Sequence, residues 1–526
     1  MLLRLFEKLK KIAWFLPGFL LWAAFPPMAE MTDALFALAP LMWLTRKGNR
    51  KESAKRWFQS GLFYWVATLS WMPAIVKNDG PWPLVVLGWA ALAAYCSLYF
   101  AAYGYLSAKY WNWAGSEMSS TRSLAVKRMF GILVAEPVLW CGLELVRSRL
   151  FGGFAWNQLG VVSVNGGFGA PAALGGVYLL SAVIILINGT IAGIAERVLV
   201  NFRRKQVTAV SRWRSLETLL AFAAVLGIYA AAARWGNLAT RSENYLKVAL
   251  VQRNFPCCFK GPEENAREIY EKLTGNVAAL DPDIVLLPES AMCEFGAVDH
   301  QGAVNFAEWL SGKCNGASVL AGGTRFGDGR IYNSAALYDG GLQIYDKVHL
   351  VPFGEFIPGD KLIPWLQKFA PVGSCTPGEE RLLKLKEHPF GVAICFEDTD
   401  SALMRQYAAM GAEFLAFITN DSWFSDSVEA EAHAWQAVAR AIETGLPVLR
   451  VGNSGVTGTI SPAGKASWLC DAAGRPLVDK RAVMFDRVAL PASAAKMTPY
   501  VLYGDIPLAS MFALLTVGVF LVKYRA

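Results

Sequence analysis

The sequence predicts a multispan α-helical membrane domain of about eight helices joined to an α/β domain, and three observations carry that prediction. Of the 526 residues, 54% are hydrophobic and 17% are charged, against roughly 25% charged in an average soluble domain. The longest apolar runs approach the roughly 20 residues that a helix needs to cross a bilayer, and they lie before residue 240 and after residue 500. Between them, short apolar runs alternate with amphipathic stretches, the pattern of a sheet covered by helices. The expected domains are 1–240 with seven membrane helices, 241–500 as the α/β domain, and 501–526 with a last membrane helix.

The expected spans fall at residues 12–27, 33–45, 57–76, 82–107, 129–147, 170–195, 216–236 and 504–522. Arg4, Lys8, Lys10 and Lys11 before the first run resemble the charged region of a signal peptide. Further spans follow at once and no clear small-residue cleavage site is present, so the segment is expected to remain as a span. Pro17, Pro26, Pro27 and Pro40 interrupt the first two runs, which are expected to be kinked or re-entrant.

The basic residues give an orientation. Arg46, Lys47, Arg50, Lys51, Lys55 and Arg56 follow the second run, Lys109, Arg122, Lys127 and Arg128 the fourth, and Arg197, Arg203, Arg204, Lys205, Arg212 and Arg214 the sixth, while Lys523 and Arg525 end the chain. By the positive-inside rule these connections and both termini are cytoplasmic, and 241–500 lies on the opposite face. The net charge of +8 is then a topology signal, and nucleic acid is not an expected partner.

In the α/β domain the expected strands are 247–252, 283–288, 317–323, 333–338, 391–396, 414–419 and 447–451, with helices at 263–280, 304–313, 401–411 and 430–444. Such near-continuous apolar strands imply sheets buried on both faces. Three signatures stand at strand ends: Leu287-Pro288-Glu289-Ser290, Lys347 before the turn-rich Val348–Pro358, and Ile394-Cys395-Phe396-Glu397. Singly, each is an ordinary capping charge or a buried cysteine. Together they supply a nucleophile (Cys395), a base for its proton (Glu289) and a cation for thiolate or oxyanion (Lys347).

The order of Pro288-Glu289-Ser290, Lys347, Cys395 and Thr419-Asn420-Asp421-Ser422-Trp423-Phe424 resembles the nitrilase, or carbon–nitrogen hydrolase, superfamily. Joined to a multispan domain, and with Arg440–Gly455 downstream, the chain closely resembles the bacterial apolipoprotein N-acyltransferase family within it. The resemblance implies an αββα sandwich with a Glu289-Lys347-Cys395 triad, and acylation of the α-amine of a diacylglyceryl apolipoprotein, the last step of lipoprotein maturation. The implied donor is a glycerophospholipid, the route a ping-pong reaction through a Cys395 thioester, and no metal or other cofactor is needed. It further implies a monomer in the inner membrane with its catalytic domain in the periplasm.

By the same resemblance Glu355 supports the lysine, the Phe396 N–H serves the oxyanion, and Glu397 is a structural acceptor, since a second charged base would oppose the thiolate. Trp423, Phe154 and Trp156 are implied substrate contacts. Arg147, within a family-like stretch ending in Gly152–Gly160, either meets a phosphate headgroup or anchors the interface. Two departures stand out. Phe396 replaces a common tyrosine, and Gly261 lies in a loop where the family commonly has tryptophan.

Setting Cys395 aside leaves Cys257, Cys258, Cys293, Cys314, Cys375 and Cys470 in the external segment, where one or more disulfides are expected. The histidines, His300, His349, His388 and His433, lack metal-ligand spacing and read as structural. A membrane-tethered amidase is the rival enzyme reading, with water resolving the acyl-enzyme. A transporter or receptor is the non-enzyme one, favoured chiefly by Glu136, Glu144 and Arg147 in or beside spans.

Overall fold

A computed structural model describes residues 14–46, 48–78, 80–115, 121–204, 209–236, 244–255, 265–357, 374–491 and 497–521. Arg4, Lys8, Lys10, Lys11, Lys47, Lys205, Cys257, Cys258, Gly261, Pro358, Lys523 and Arg525 lie outside the described residues. The chain divides into two compact units. One holds residues 1–73, 81–233 and 503–526; the other holds 234–502 and also 74–80, which the sequence assigns to the membrane domain.

In the first unit, four helical stretches are long and apolar enough to cross a membrane: Trp82–Ala114, Arg122–Arg147, Ala172–Val198 and Leu216–Arg234. The apolar helices Met31–Thr45 and Ile506–Leu521 are shorter, and Phe15–Ala23 has nine residues. Among the described residues, then, about eight full spans are not seen. The run at 33–45 is divided at Leu38, with Pro40 in the first turn of the following helix, where its missing N–H costs nothing. The expected span at 57–76 is instead a helix over Arg50–Thr68. Arg50, Lys51, Lys55 and Arg56 therefore lie in helical turns and not in a loop, because Asn49 caps the helix upstream of them by accepting the amides of Lys51 and Glu52. Within this unit Arg46 and Glu136 pair at 2.6 Å, both nearly inaccessible, and Trp111 Nε1 donates to Glu136 Oε1 at 2.8 Å. Such pairing is what makes a buried charge tolerable.

The second unit is built on two six-stranded sheets. The first has the order β12-β1-β2-β3-β4-β5, comprising β1 (Tyr245–Gln252), β2 (Ile284–Leu286), β3 (Ser318–Gly327), β4 (Arg330–Tyr338), β5 (Leu342–Asp346) and β12 (Ala482–Ala489). The second has the order β11-β10-β9-β8-β7-β6, comprising β6 (Leu383–Leu385), β7 (His388–Ile394), β8 (Phe414–Thr419), β9 (Val448–Gly452), β10 (Gly458–Ile460) and β11 (Ala466–Trp468). In each sheet three parallel strands form the centre, β1-β2-β3 and β7-β8-β9, and antiparallel strands flank them.

Helices α1 (Ala266–Thr274) and α2 (Gln301–Lys313) cover the first sheet, and α3 (Ser401–Ala409) and α4 (Glu429–Thr444) the second. The first layer is held by Tyr270, Phe306 and Leu310 against Val251, Val285 and Val319, all buried. Every residue of β2, β8 and β9 is buried, as expected of central parallel strands covered on both faces. The sequence reading did not find β5, β6, β10, β11 and β12. Four of them are short or flanking strands whose partly exposed residues break the apolar run, whereas β10 is buried but only three residues long. Among the described residues no disulfide joins any two of Cys293, Cys314, Cys375 and Cys470. Cys314 is fully buried in the core of the first sheet, while Cys293 and Cys470 are exposed.

Candidate active site

Four parallel or flanking strands of the second unit deliver side chains to one place. β2 runs out at Leu286, and Glu289 follows after Pro288, with Ser290 in a left-handed turn (φ 62°). The turn is possible because β3 carries Gly322 opposite: a Cβ there would lie 2.6 Å from the Glu289 Cα. β5 ends at Asp346 and presents Lys347. β7 ends at Ile394, and Cys395 opens a short 3-10 turn over Cys395–Thr399 with φ 54°. A left-handed backbone costs a β-carbon residue roughly 1–2 kcal/mol, so the turn must be over-determined by its surroundings.

Glu397 is what determines it. Its Oε2 accepts the amide of Ile394 at 2.8 Å. Its Oε1 accepts the amides of Val348 at 2.7 Å and His349 at 3.0 Å and the hydroxyl of Tyr345 at 2.8 Å. One buried carboxylate thus ties the cysteine turn to the segment that carries Lys347. Burial raises its pKa, although Lys347 and the amide donors work against that rise.

Lys347 is 1% exposed. Its Nζ donates to Glu355 Oε1 at 2.9 Å, and Glu355 Oε2 accepts the Val351 amide at 2.7 Å. Asn333, on β4, donates to both Glu355 Oε1 (2.6 Å) and Glu289 Oε1 (2.8 Å). Glu289 Oε2 is buried and has no hydrogen-bond partner among the described residues. A buried carboxylate oxygen left open in this way is an acceptor waiting for a proton donor.

The electrostatics follow from burial. Desolvation pushes the Cys395 thiol well above its ordinary range and Glu289 pushes it further, while Lys347 pulls it down. Burial also raises the Glu289 carboxyl, with Lys347 opposing. For Lys347 burial disfavours the charge, but Glu355 and Glu289 outweigh it and its pKa is raised. The resting site therefore holds a protonated thiol beside a fixed ammonium and a carboxylate whose proton affinity is enhanced. That combination suits proton transfer from sulfur to Glu289 during attack on a carbonyl carbon.

Phe396 lies in the same turn as Cys395, and its carbonyl accepts the Thr399 hydroxyl at 2.8 Å. Trp423 lies in the turn Asp421–Phe424 after β8. Asn78, from the short segment that packs with this unit, donates to the carbonyls of Ser422 (3.2 Å) and Trp423 (3.0 Å). The other three expected substrate contacts belong to the first unit. There Arg147 is 3% exposed and its NH1 donates to the carbonyls of Phe154 (3.0 Å) and Trp156 (2.8 Å), with its guanidinium 4.7 Å from the Trp65 ring centre. Trp156 is 2% exposed and packs on Trp71. Arg147 thus holds the 154–156 loop through its donors, and its charge lies inside the unit beside Glu144.

Sequence reasoning missed Asn333, read His433 only as structural, and assigned no individual role to Thr419, Asp398, Asp421 or Arg450. The available signals were a polar residue opening an apolar strand, Asn333 before Ser334–Tyr338, and the spacing of Glu429 and His433 on one helix face.

Residues 17–190 match the apolipoprotein N-acyltransferase N-terminal domain, and residues 247–482 match the carbon–nitrogen hydrolase family. The chain is 30% identical over 471 residues to an apolipoprotein N-acyltransferase of Geobacter metallireducens, covering 85% of this chain and 84% of that protein. It is 27% identical to another from Vibrio vulnificus, over 88% of each chain. A carbon–nitrogen hydrolase superfamily structure from Xanthomonas campestris is 18% identical and covers 51% of this chain and 97% of that one, with a TM-score of 0.37.

Proposed function

The chain belongs to the apolipoprotein N-acyltransferase family, and from that premise we propose that it moves a fatty-acyl group from a glycerophospholipid to the α-amine of a diacylglyceryl cysteine through a thioester on Cys395. In the first half-reaction the sulfur attacks the ester carbonyl while its proton passes to Glu289 Oε2. Lys347 and the Phe396 N–H stabilise the oxyanion. The carbon–oxygen bond breaks, Glu289 returns the proton to the departing lysophospholipid, and the acyl group remains on sulfur. In the second, the unprotonated amine attacks the thioester, Glu289 accepts the ammonium proton, and sulfur leaves and is reprotonated.

The observation that supports this reading best is the open, buried Oε2 of Glu289, held by Asn333 beside Lys347 and within electrostatic reach of Cys395. Glu355 keeps the lysine in place, Glu397 shapes the turn, and Trp423, Arg147, Phe154 and Trp156 are the substrate contacts in this proposal, with Arg147 also fixing the 154–156 loop. The domains, in this proposal, are 1–240, 241–500 and 501–526. The chain works as a monomer in the bacterial inner membrane, with cytoplasmic termini and a periplasmic catalytic domain, as the basic connections suggest.

The test is mass spectrometry of the purified protein after incubation with phospholipid. The expected result is a fatty-acyl adduct on Cys395, discharged by a diacylglyceryl peptide and absent from Cys395→Ala. Triacylated product formed while Cys395 stays unmodified would overturn the proposal. An adduct lost to water at the same rate with and without the peptide would favour the hydrolase instead.

A further inference from the structure

Behind the cysteine turn lies a cluster of five ionisable side chains, each no more than 3% exposed: Asp398, Asp421, Glu429, His433 and Arg450. They come from four elements. Asp398 belongs to the Cys395–Thr399 turn, Asp421 follows β8, Glu429 and His433 lie on α4, and Arg450 lies on β9. His433 is at the centre. Its Nε2 lies 2.9 Å from Asp398 Oδ1, and its Nδ1 lies 3.0 Å from Asp421 Oδ1 and 3.5 Å from Glu429 Oε1. Arg450 pairs with Asp398, and its NH2 is 3.5 Å from Asp421 Oδ2.

Both aspartates border the nucleophile. Asp398 is in the turn that Cys395 opens. Asp421 Oδ1 accepts the Thr419 hydroxyl at 2.7 Å, and Thr419 also lowers the pKa of the Cys395 thiol. Burial and Glu289 raise the thiol's pKa and Asp421 adds to them, with Lys347 opposing. A lone negative charge here would therefore make thiolate harder to form.

Charge counting shows what His433 supplies. Burial and the neighbouring Asp421 push the Glu429 carboxyl well above its usual range, which favours its neutral form. Burial opposes a charge on His433, but Asp398 and Asp421 outweigh it and raise the imidazole to about 10. Two carboxylates then face two cations, the imidazolium and the Arg450 guanidinium. With a neutral His433 the cluster would keep one uncompensated negative charge against Cys395. Asp421, Glu429 and His433 also place ligand-type atoms within 4.8 Å of one another. The guanidinium beside Asp421 already supplies the positive charge that a metal would bring.

We propose that His433 is a positioning residue for acyl transfer: as an imidazolium it clamps the Cys395 turn to the Thr419–Asp421 turn and cancels the carboxylate field that would otherwise suppress the nucleophile. The inference rests on Cys395 being that nucleophile. It also assigns a role to a side chain that touches no substrate.

The test reads thiol reactivity directly, by the pH dependence of Cys395 alkylation with iodoacetamide on the full-length protein, located by peptide mass spectrometry. In His433→Gln the midpoint is expected to move up by about one pH unit or more, the size of a single neighbouring charge. In Asp421→Asn it is expected to move down. The double variant, with charge balance restored, is expected to return towards the wild-type midpoint. Thermal unfolding checks that each variant folds. If His433→Gln does not fold, Asp421→Asn decides. An unmoved midpoint in the folded variants would overturn the inference. Alkylation requires no lipid, so the acyl-transfer reading fails separately, when wild-type protein forms no acyl adduct.

Discussion

Glu397 reaches 49 positions back along the chain to accept the Val348 amide at 2.7 Å. The same carboxylate accepts Ile394, immediately before the nucleophile. Removing it strands three backbone N–H groups and one tyrosine hydroxyl. Each buried unsatisfied group costs about 1–3 kcal/mol. Glu397→Ala is therefore expected to lose at least about 4 kcal/mol of stability and to lose acylation altogether, measured by thermal unfolding in detergent and by adduct formation on Cys395.

Glu289→Gln keeps the size of the side chain and an oxygen for Asn333, but it cannot take a proton. Acyl-enzyme formation should fall by about 10²–10⁴, the usual worth of a positioned general base. Lipid binding should persist. An adduct that forms at the wild-type rate would show that another group accepts the thiol proton.

The pH dependence has a definite sign. The Glu289 pKa is raised by burial, and the carboxyl must be ionised to accept a proton. Acylation should therefore climb with pH through a midpoint above the ordinary glutamate value and should fall away on the acid side. The raised Lys347 pKa keeps its ammonium charged across the working range, so lysine contributes no alkaline decline there. Single-turnover rates of adduct formation measured against pH test both statements, and Glu289→Gln should erase the acid limb.

Asn333→Ala removes the donor shared by Glu289 and Glu355. That hydrogen bond lowers the Glu289 pKa. Its loss should move the acid limb to higher pH and reduce the rate by about 10-fold, in line with roughly 1–1.5 kcal/mol for one hydrogen bond. Asn333→Asp should be worse, since it adds a third carboxylate beside two others.

Asn78→Ala frees the carbonyls of Ser422 and Trp423. The Trp423 turn should loosen, and KM for the lipopeptide should rise by about 3- to 10-fold, consistent with one modest hydrogen bond. The iodoacetamide reactivity of Cys395 should not change, which separates substrate positioning from damage to the nucleophile.

Much of the site was legible because chemistry stands where apolar strands stop. Glu289 follows Ile284–Leu286, Cys395 follows His388–Ile394, and Phe414–Thr419 runs to the residue expected of it. Asn333 was not legible, since its value depends on β4 lying between β3 and β5 in one register, Ser334 opposite both Gly323 and Asp346. The His433 cluster was hidden for a similar reason: Arg450 and Asp398 are 52 positions apart and meet only through the second sheet. In the membrane part, hydropathy located the apolar segments but not their ends. A cap such as Asn49 decides where a helix begins, and charged residues can lie in its first turns.

Glu289 and Lys347 issue from strands of the first sheet, and Cys395 and Thr419 from strands of the second. A chain in which only one sheet has formed owns either the thiol or its base, never the pair. On the proposed roles, acyl transfer therefore waits for both sheets, since until they meet the thiol faces no base. Folding would be read as a fall in Cys395 alkylation, because burial and the Glu289 carboxylate raise the thiol's pKa in the finished site.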